Sequence, residues 1–250
     1  MKNRAYKNYI FDFYGTLVDI LTDEKDPVLW DKLGQLYQAY GVAYEGEILK
    51  KAYAKRVDQA RKELIDLKGV AYPEIDLAHI FNQLYVDARP QSSNSNQPED
   101  WGQLIAMVFR VLSRKHVTAY PHTKEVLAFL KEQGCRLYLL SNAQAAFTNT
   151  EIDLMELRPY FDAIYLSSDV GICKPQPEFL KQVLDDHGLK PSETVMVGND
   201  LTTDIAVAEA VGIDGILLNT FPYSRRELEN SPIKPDRVIT DIEALKTNFT

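Results

Sequence analysis

An α/β fold is expected from this sequence, a Rossmann-like parallel sheet interrupted by an inserted block of helices, and three features predict it. Short apolar runs rich in branched and aromatic residues alternate with amphipathic stretches of helical spacing over residues 117–250. A matching run, YIFDF, lies near the start of the chain. Four stretches within residues 20–116 carry helical periodicity, with no convincing strand between them. The expected division is therefore a core of residues 1–19 and 117–250 and a helical cap of residues 20–116.

YIFDF reads as a buried strand because its apolar residues form a near-continuous run, as in strands covered on both faces. Within the insertion, PVLWDKLGQLYQAYG, EGEILKKAYAKRVDQARKELIDL, DLAHIFNQLYVDA and DWGQLIAMVFRVLSRK each read as a helix. The polar stretch at 89–100 has the composition of an exposed loop. Beyond it come the strand candidates RLYLLSN, AIYLSSD, TVMVGND and GILLNT, with RVIT as a sixth. TKEVLAFLKEQG, PEFLKQVLDDHG and DIAVAEAVG read as the helices between strands, each closing on a glycine suited to a helix C-terminus.

The 250 residues suffice for one large domain or a core carrying an insertion. A formal charge of -8 argues against nucleic acid and anionic membranes, which call for a basic face, and leaves a small-molecule substrate as the expected partner. Cys135 and Cys173 show no disulfide or zinc spacing, which fits a reducing cytoplasm. The N-terminal residues lack the apolar core of a signal peptide, and no run approaches the ~18 apolar residues of a membrane span. His79, His116, His122 and His187 share no metal-binding spacing and are assigned no chemistry. Nothing in the chain reports its oligomeric state.

In open parallel sheets ligands bind beyond the carboxyl ends of the strands. The residues there are Asp12, Ser141 with Asn142, Asp169, and Asn199 with Asp200, while Lys174 precedes a helix that Pro175 and Pro177 help to start. Singly, each has an ordinary structural task, such as capping a helix or forming a turn. Jointly, at four strand ends with a lysine nearby, they read as one site.

With these residues in chain order, DFYGTLVD, LLSNA, Lys174 in CKPQPEF, and VGNDLTTDI, the sequence resembles the haloacid dehalogenase superfamily over nearly its whole length. The resemblance implies that Asp12 attacks the electrophile and forms a covalent aspartyl intermediate. It implies that Thr16, Ser141 and Asn142 bind the transferred group, that Lys174 neutralises charge, and that Gly15 lets backbone N–H groups approach. In metal-dependent members, magnesium is held by the nucleophile, the backbone carbonyl two residues later and an acid of the fourth motif. Here those are Asp12, Tyr14 and Asp200, with Asn199 and Asp204 in support. Two carboxylates and a carbonyl suit magnesium.

Tyr14 complicates the assignment. Phosphatases of this superfamily carry a second aspartate there, which protonates the leaving group; a phenol, with an unperturbed pKa of ~10, is a poor substitute as a general base. Tyrosine at this place is similar to the 2-haloacid dehalogenases, where halide leaves unprotonated and no magnesium is required. Leu180 and Asp200 depart from that subfamily, whose third motif has a tyrosine and whose fourth a serine-rich turn. The leading expectation is magnesium-dependent hydrolysis of a phosphate ester or anhydride. A 2-haloacid dehalogenase is the alternative, and a weakly active metabolite-binding protein of the same fold is a further one.

Three arginines of the insertion, Arg56, Arg61 and Arg89, are candidates for a substrate carboxylate, though a surface position is the commoner fate. Trp30, Tyr37, Tyr40, Tyr44, Trp101 and Phe109 could line a pocket, but aromatics at such spacing more often pack a bundle core. Arg225 and Arg226 read as a solvated face, and Asp19 marks the hinge into the insertion.

Overall fold

A computed structural model of the chain describes residues 6–89 and 97–249. Its first strand, β1 (Asn8–Phe11), is buried along its whole length and delivers Asp12 to the edge of the sheet. A tight turn follows, and then β2 (Val18–Thr22) leads away from the sheet. The chain next forms α1 (Pro27–Ala39), α2 (Gly46–Lys68), α3 (Leu77–Ala88) and α4 (Trp101–Ser113), and returns through β3 (Arg114–Ala119). Asp26 and Asp76 cap α1 and α3 by accepting the Val28 and Ala78 amides.

β2 and β3 pair antiparallel, Ile20 opposite Val117 and Leu21 opposite His116. This ribbon corrects the expectation that the insertion begins and ends without strands. Its segments, VDILT and RKHVTA, are short; of the first only Val18 is buried, and of the second none. Neither forms the near-continuous apolar run of a strand buried on both faces, and Arg114 and Lys115, expected in the preceding helix, open β3. Both expected boundaries, after Asp19 and after His116, fall inside the ribbon.

The remaining elements alternate as expected: α5 (Thr123–Glu132), β4 (Arg136–Ser141), α6 (Ala145–Leu154), β5 (Ala163–Leu166), a short α7 (Ser167–Val170), α8 (Pro177–His187), β6 (Thr194–Gly198), α9 (Ala206–Val211), β7 (Asp214–Leu218), α10 (Arg225–Asn230) and β8 (Arg237–Ile239). The sheet order is β5-β4-β1-β6-β7-β8, and every pairing is parallel. β1 and its neighbours β4 and β6 thus occupy the centre, so the ends of these three strands are adjacent.

The core divides between the units. Phe11, Leu137, Leu139, Val195 and Val197 pack one face of the sheet, and Ile10, Tyr138, Leu140 and Met196 the other. Trp30, Tyr37, Tyr44, Trp101 and Phe109 are buried in a third cluster, with Tyr40 packed against it, so these aromatics form the interior of the helical insertion. Tyr37 and Tyr40 meet the Trp101 ring edge to face, Tyr37 at 5.1 Å between centroids. Arg56 is ion-paired with Asp87 on α3, whereas Arg61 and Arg89 lie exposed. Arg225 pairs with Glu229 along α10. Most of the stretch 89–100 lies outside the described residues.

Candidate active site

Asp12 follows β1 and is 6% exposed, with both carboxylate oxygens engaged. Oδ1 accepts from Lys174 Nζ at 2.7 Å and from Ser141 Oγ at 3.2 Å, while Oδ2 accepts from Thr16 Oγ1 at 3.1 Å. Lys174 Nζ also donates to the Leu140 carbonyl and stands 2.7 Å from Asp204 Oδ1. Burial opposes charge on Lys174, but the Asp12 and Asp204 carboxylates outweigh it and raise the ammonium above its ordinary pKa. Burial raises Asp204 against the pull of Lys174, with the Asp12 charge adding to the rise.

Lys174 reaches this position because Asn142 grips its backbone. The Asn142 side chain accepts from the Lys174 amide at 2.7 Å and donates to its carbonyl at 2.9 Å. Asn142, expected to bind the transferred group, thus has its amide engaged in placing the lysine. Gly15 turns the chain after Asp12 with φ +80°, and a Cβ there would lie 2.6 Å from Asn199 Nδ2. Asn199 in turn accepts from Thr16 Oγ1 at 3.2 Å. Gly198 has the same kind of constraint, since a Cβ would fall 2.3 Å from the Asp204 carboxylate.

Asp200 caps the turn of π-helix Leu201–Ile205 that opens α9, its Oδ1 accepting from Thr202 N, Thr203 N and Thr202 Oγ1. Its amide donates to Asp204 Oδ2 at 3.0 Å. In the turn after Asp12, the amides of Thr16, Leu17 and Val18 converge on the Phe13 carbonyl and that of Gly15 goes to Val18, so the Tyr14 carbonyl takes no part in these bonds. Asp12, that carbonyl and Asp200 are all oxygen donors of the type a hard divalent cation uses, and the turn's backbone bonds leave the Tyr14 carbonyl out.

The Tyr14 side chain has another place. Its hydroxyl donates to Glu151 Oε2 at 2.5 Å and lies 3.1 Å from Thr148 Oγ1, both on α6. Glu151, 1% exposed, also receives Arg110 through Nε at 2.8 Å and Nη2 at 2.9 Å, and Arg114 Nη1 at 2.7 Å. The Arg110 guanidinium lies over the Tyr14 and Phe147 rings. Burial would raise Glu151, but the arginines and the tyrosine hydroxyl hold its carboxyl below the usual range. Burial pushes the Tyr14 phenol up.

The haloacid dehalogenase-like hydrolase family model matches residues 6–212, which contain the whole Asp12 cluster. The chain belongs to this family. Among curated relatives of this hydrolase, the glyceraldehyde 3-phosphate phosphatase of Pyrococcus furiosus is 29% identical over 245 residues, 97% of this chain and 92% of that protein. The enzyme of the same name from Methanothermobacter thermautotrophicus is 31% identical over 131 residues. That match covers 51% of this chain and only 57% of the relative. A 2-haloacid dehalogenase from Pseudomonas syringae has the same fold, with a TM-score of 0.67 at 20% identity and 98% of each chain covered.

In the hydrolase, Asp12, Thr16, Ser141, Lys174 and Asp204 meet directly, and Gly15, Asn142, Asn199 and Asp200 border them. Asp169 does not join this set: it lies on α7 in the wall of a 420 Å³ cleft formed with α2 and the start of α3. Glu151, Arg110 and Arg114 were missed by reading the sequence. Glu151 and Arg110 fall within helices outside every motif, and the one available signal was a charged residue on a face that helical periodicity assigns to the interior.

Proposed function

We propose that the chain is a magnesium-dependent phosphohydrolase acting on a small-molecule phosphate ester or anhydride. The observation that carries this reading is the buried Asp12 carboxylate at the end of the central strand, 2.7 Å from Lys174 and hydrogen-bonded by Ser141 and Thr16. One Asp12 oxygen attacks phosphorus, the leaving-group oxygen departs with the bonding pair, and water then hydrolyses the aspartyl phosphate to free phosphate. Lys174, Ser141 and Thr16 supply positive charge and donors toward the phosphoryl oxygens. Asp12, the Tyr14 carbonyl and Asp200 would hold Mg2+, with Asn199 and Asp204 supporting them; the ion, when bound, supplies further charge neutralisation.

Two relatives named as phosphatases support the choice of phosphate, as does the acid at Asp200. α1–α4 serve in this reading as a cap that selects the substrate. No helix among the described residues is long and apolar enough to cross a membrane. With a charge of -8 and two free cysteines, the reading is completed by a cytoplasmic enzyme that engages neither nucleic acid nor membrane.

Hydrolysis of an aryl phosphate and of a 2-haloacid, each with magnesium and with excess chelator, tests the proposal. Magnesium-dependent phosphate release without halide release is the expected result. Chelator-resistant halide release would overturn it in favour of dehalogenation, and no turnover of either would leave the metabolite-binding reading.

A further inference from the structure

The carboxylate of Glu151 gathers four donors from three separate parts of the chain. Arg110 comes from the last turn of α4, Arg114 from the start of β3, and Tyr14 from the turn two residues beyond Asp12. Glu151 itself stands on α6, which begins three residues after Asn142. The carboxylate and its bidentate partner are closed from solvent, Glu151 being 1% and Arg110 7% exposed, while Tyr14 and Arg114 are half-buried. Thr148 and Phe147, also on α6, hold the Tyr14 hydroxyl and the Arg110 guanidinium from below.

A buried ion pair is a poor device for stability alone, because desolvation cancels much of its attraction and apolar side chains would fill the space as well. What it provides is directional geometry, and here each direction leads to a different element. Tyr14 is held by its ring and hydroxyl while its backbone forms the turn that presents Gly15 and Thr16 to Asp12. Arg110 and Arg114 lie where the chain leaves the helical insertion and enters the ribbon. One carboxylate therefore fastens both the nucleophile's turn and the return leg of the insertion to the same helix.

We propose that Glu151 is a positioning residue, which through Tyr14 fixes the turn beside Asp12 and through Arg110 and Arg114 sets the helical insertion in register with it. The proposal rests on Asp12 being the nucleophile. It assigns Tyr14 an anchoring side chain in place of an acid–base one, and it makes the seat of the insertion and the shape of the turn a single coupled property. Small displacements of a positioned group are costly in rate, so the coupling acts on turnover.

The test uses the full chain and its Glu151→Gln and Tyr14→Phe variants. Amide hydrogen exchange is followed in peptides covering 13–18 and 101–113, and steady-state hydrolysis of an aryl phosphate is measured with magnesium. Glu151→Gln is expected to speed exchange about 10-fold in both peptides while leaving α8 and β7 at their original rates. It is expected to lower kcat by roughly 10- to 100-fold with KM within about 2-fold. Tyr14→Phe, which removes one hydrogen bond, is expected to speed exchange in 13–18 and lower kcat by a smaller factor.

Faster exchange in 101–113 alone, with 13–18 and kcat unchanged, would overturn the proposal and leave Glu151 a purely structural pair. If Glu151→Gln does not accumulate as folded protein, Tyr14→Phe decides, and wild-type exchange in 13–18 with wild-type kcat rejects the assignment. Should the unmodified chain release no phosphate, the phosphohydrolase reading fails by itself. The exchange arm then decides whether the two segments are coupled.

Discussion

Lys174 stands 2.7 Å from Asp12 and 2.7 Å from Asp204, and it is the cation that keeps these two carboxylates compatible in a buried site. Lys174→Met would leave like charges facing one another without compensation, at a cost of about 3–5 kcal/mol; urea unfolding should show the loss, and activity should vanish with it. Asp12→Asn keeps the size of the side chain and removes its nucleophilic charge. Turnover should fall to background while circular dichroism and the unfolding midpoint stay near those of the parent, and retained activity would reject the covalent route. At Tyr14 the phenol is already bound to Glu151, so a carboxylate is the informative replacement. Tyr14→Asp should raise the ratio of alkyl phosphate to aryl phosphate kcat/KM by at least ~10-fold, since a positioned proton donor is worth about 10²–10⁴ in rate. No change in that ratio would mean that factors other than leaving-group protonation limit the alkyl ester.

At the scale of elements, α6 carries the junction whose pH response can be worked out. Burial opposes ionisation of Glu151, yet Arg110, Tyr14 and Arg114 prevail and lower its folded pKa below its unfolded one. A depressed carboxyl contributes stability that is present above the unfolded pKa and disappears as pH falls through the folded pKa. The stability difference between the parent and Glu151→Gln should therefore be constant from about pH 7 to 5 and shrink below about pH 4. A difference that grows on acidification would contradict the assignment. The sheet strands and the four inserted helices were legible in the sequence because apolar runs and helical periodicity are local signals. The β2–β3 ribbon was not, since RKHVTA is a short polar strand with no buried residue, and in the sequence Arg114 and Lys115 extend the helical pattern of α4 without a break signal. Asp12, Ser141, Lys174 and Asp204 were legible as strand-end and motif residues. Glu151 was not, because what singles it out is three partners drawn from elsewhere in the chain.

Over the whole molecule, the sheet and the insertion have largely distinct interiors, with Phe147 of α6 reaching into the helical one, and they meet at the Glu151 junction, at Gln144 against Leu77 and Ile75, at the hydrogen bond from Ser167 to Glu74 and where residues 72–74 bond to residues 171–173. Phe81 is fully buried in the helical interior. Phe81→Ala should cost about 3–5 kcal/mol, and hydrogen exchange should place that loss in α1–α4 while β1, β4 and β6 keep their protection. Uniform loss of protection in both units would show a single cooperative interior. The strand order, with β1 at the centre, follows from no local feature of the sequence, yet it sets the strand ends of Asp12, Ser141 and Gly198 side by side. The ribbon has a further consequence. Leu21 and His116 are cross-strand partners although 95 positions separate them, so the chain departs for the insertion and comes back at neighbouring points. A segment with adjoining ends can be exchanged for another of different length or shape without respacing the strands that carry the chemistry. The insertion can thus be replaced by grafting at two abutting splice points, and recombination has a natural pair of crossover positions in this gene.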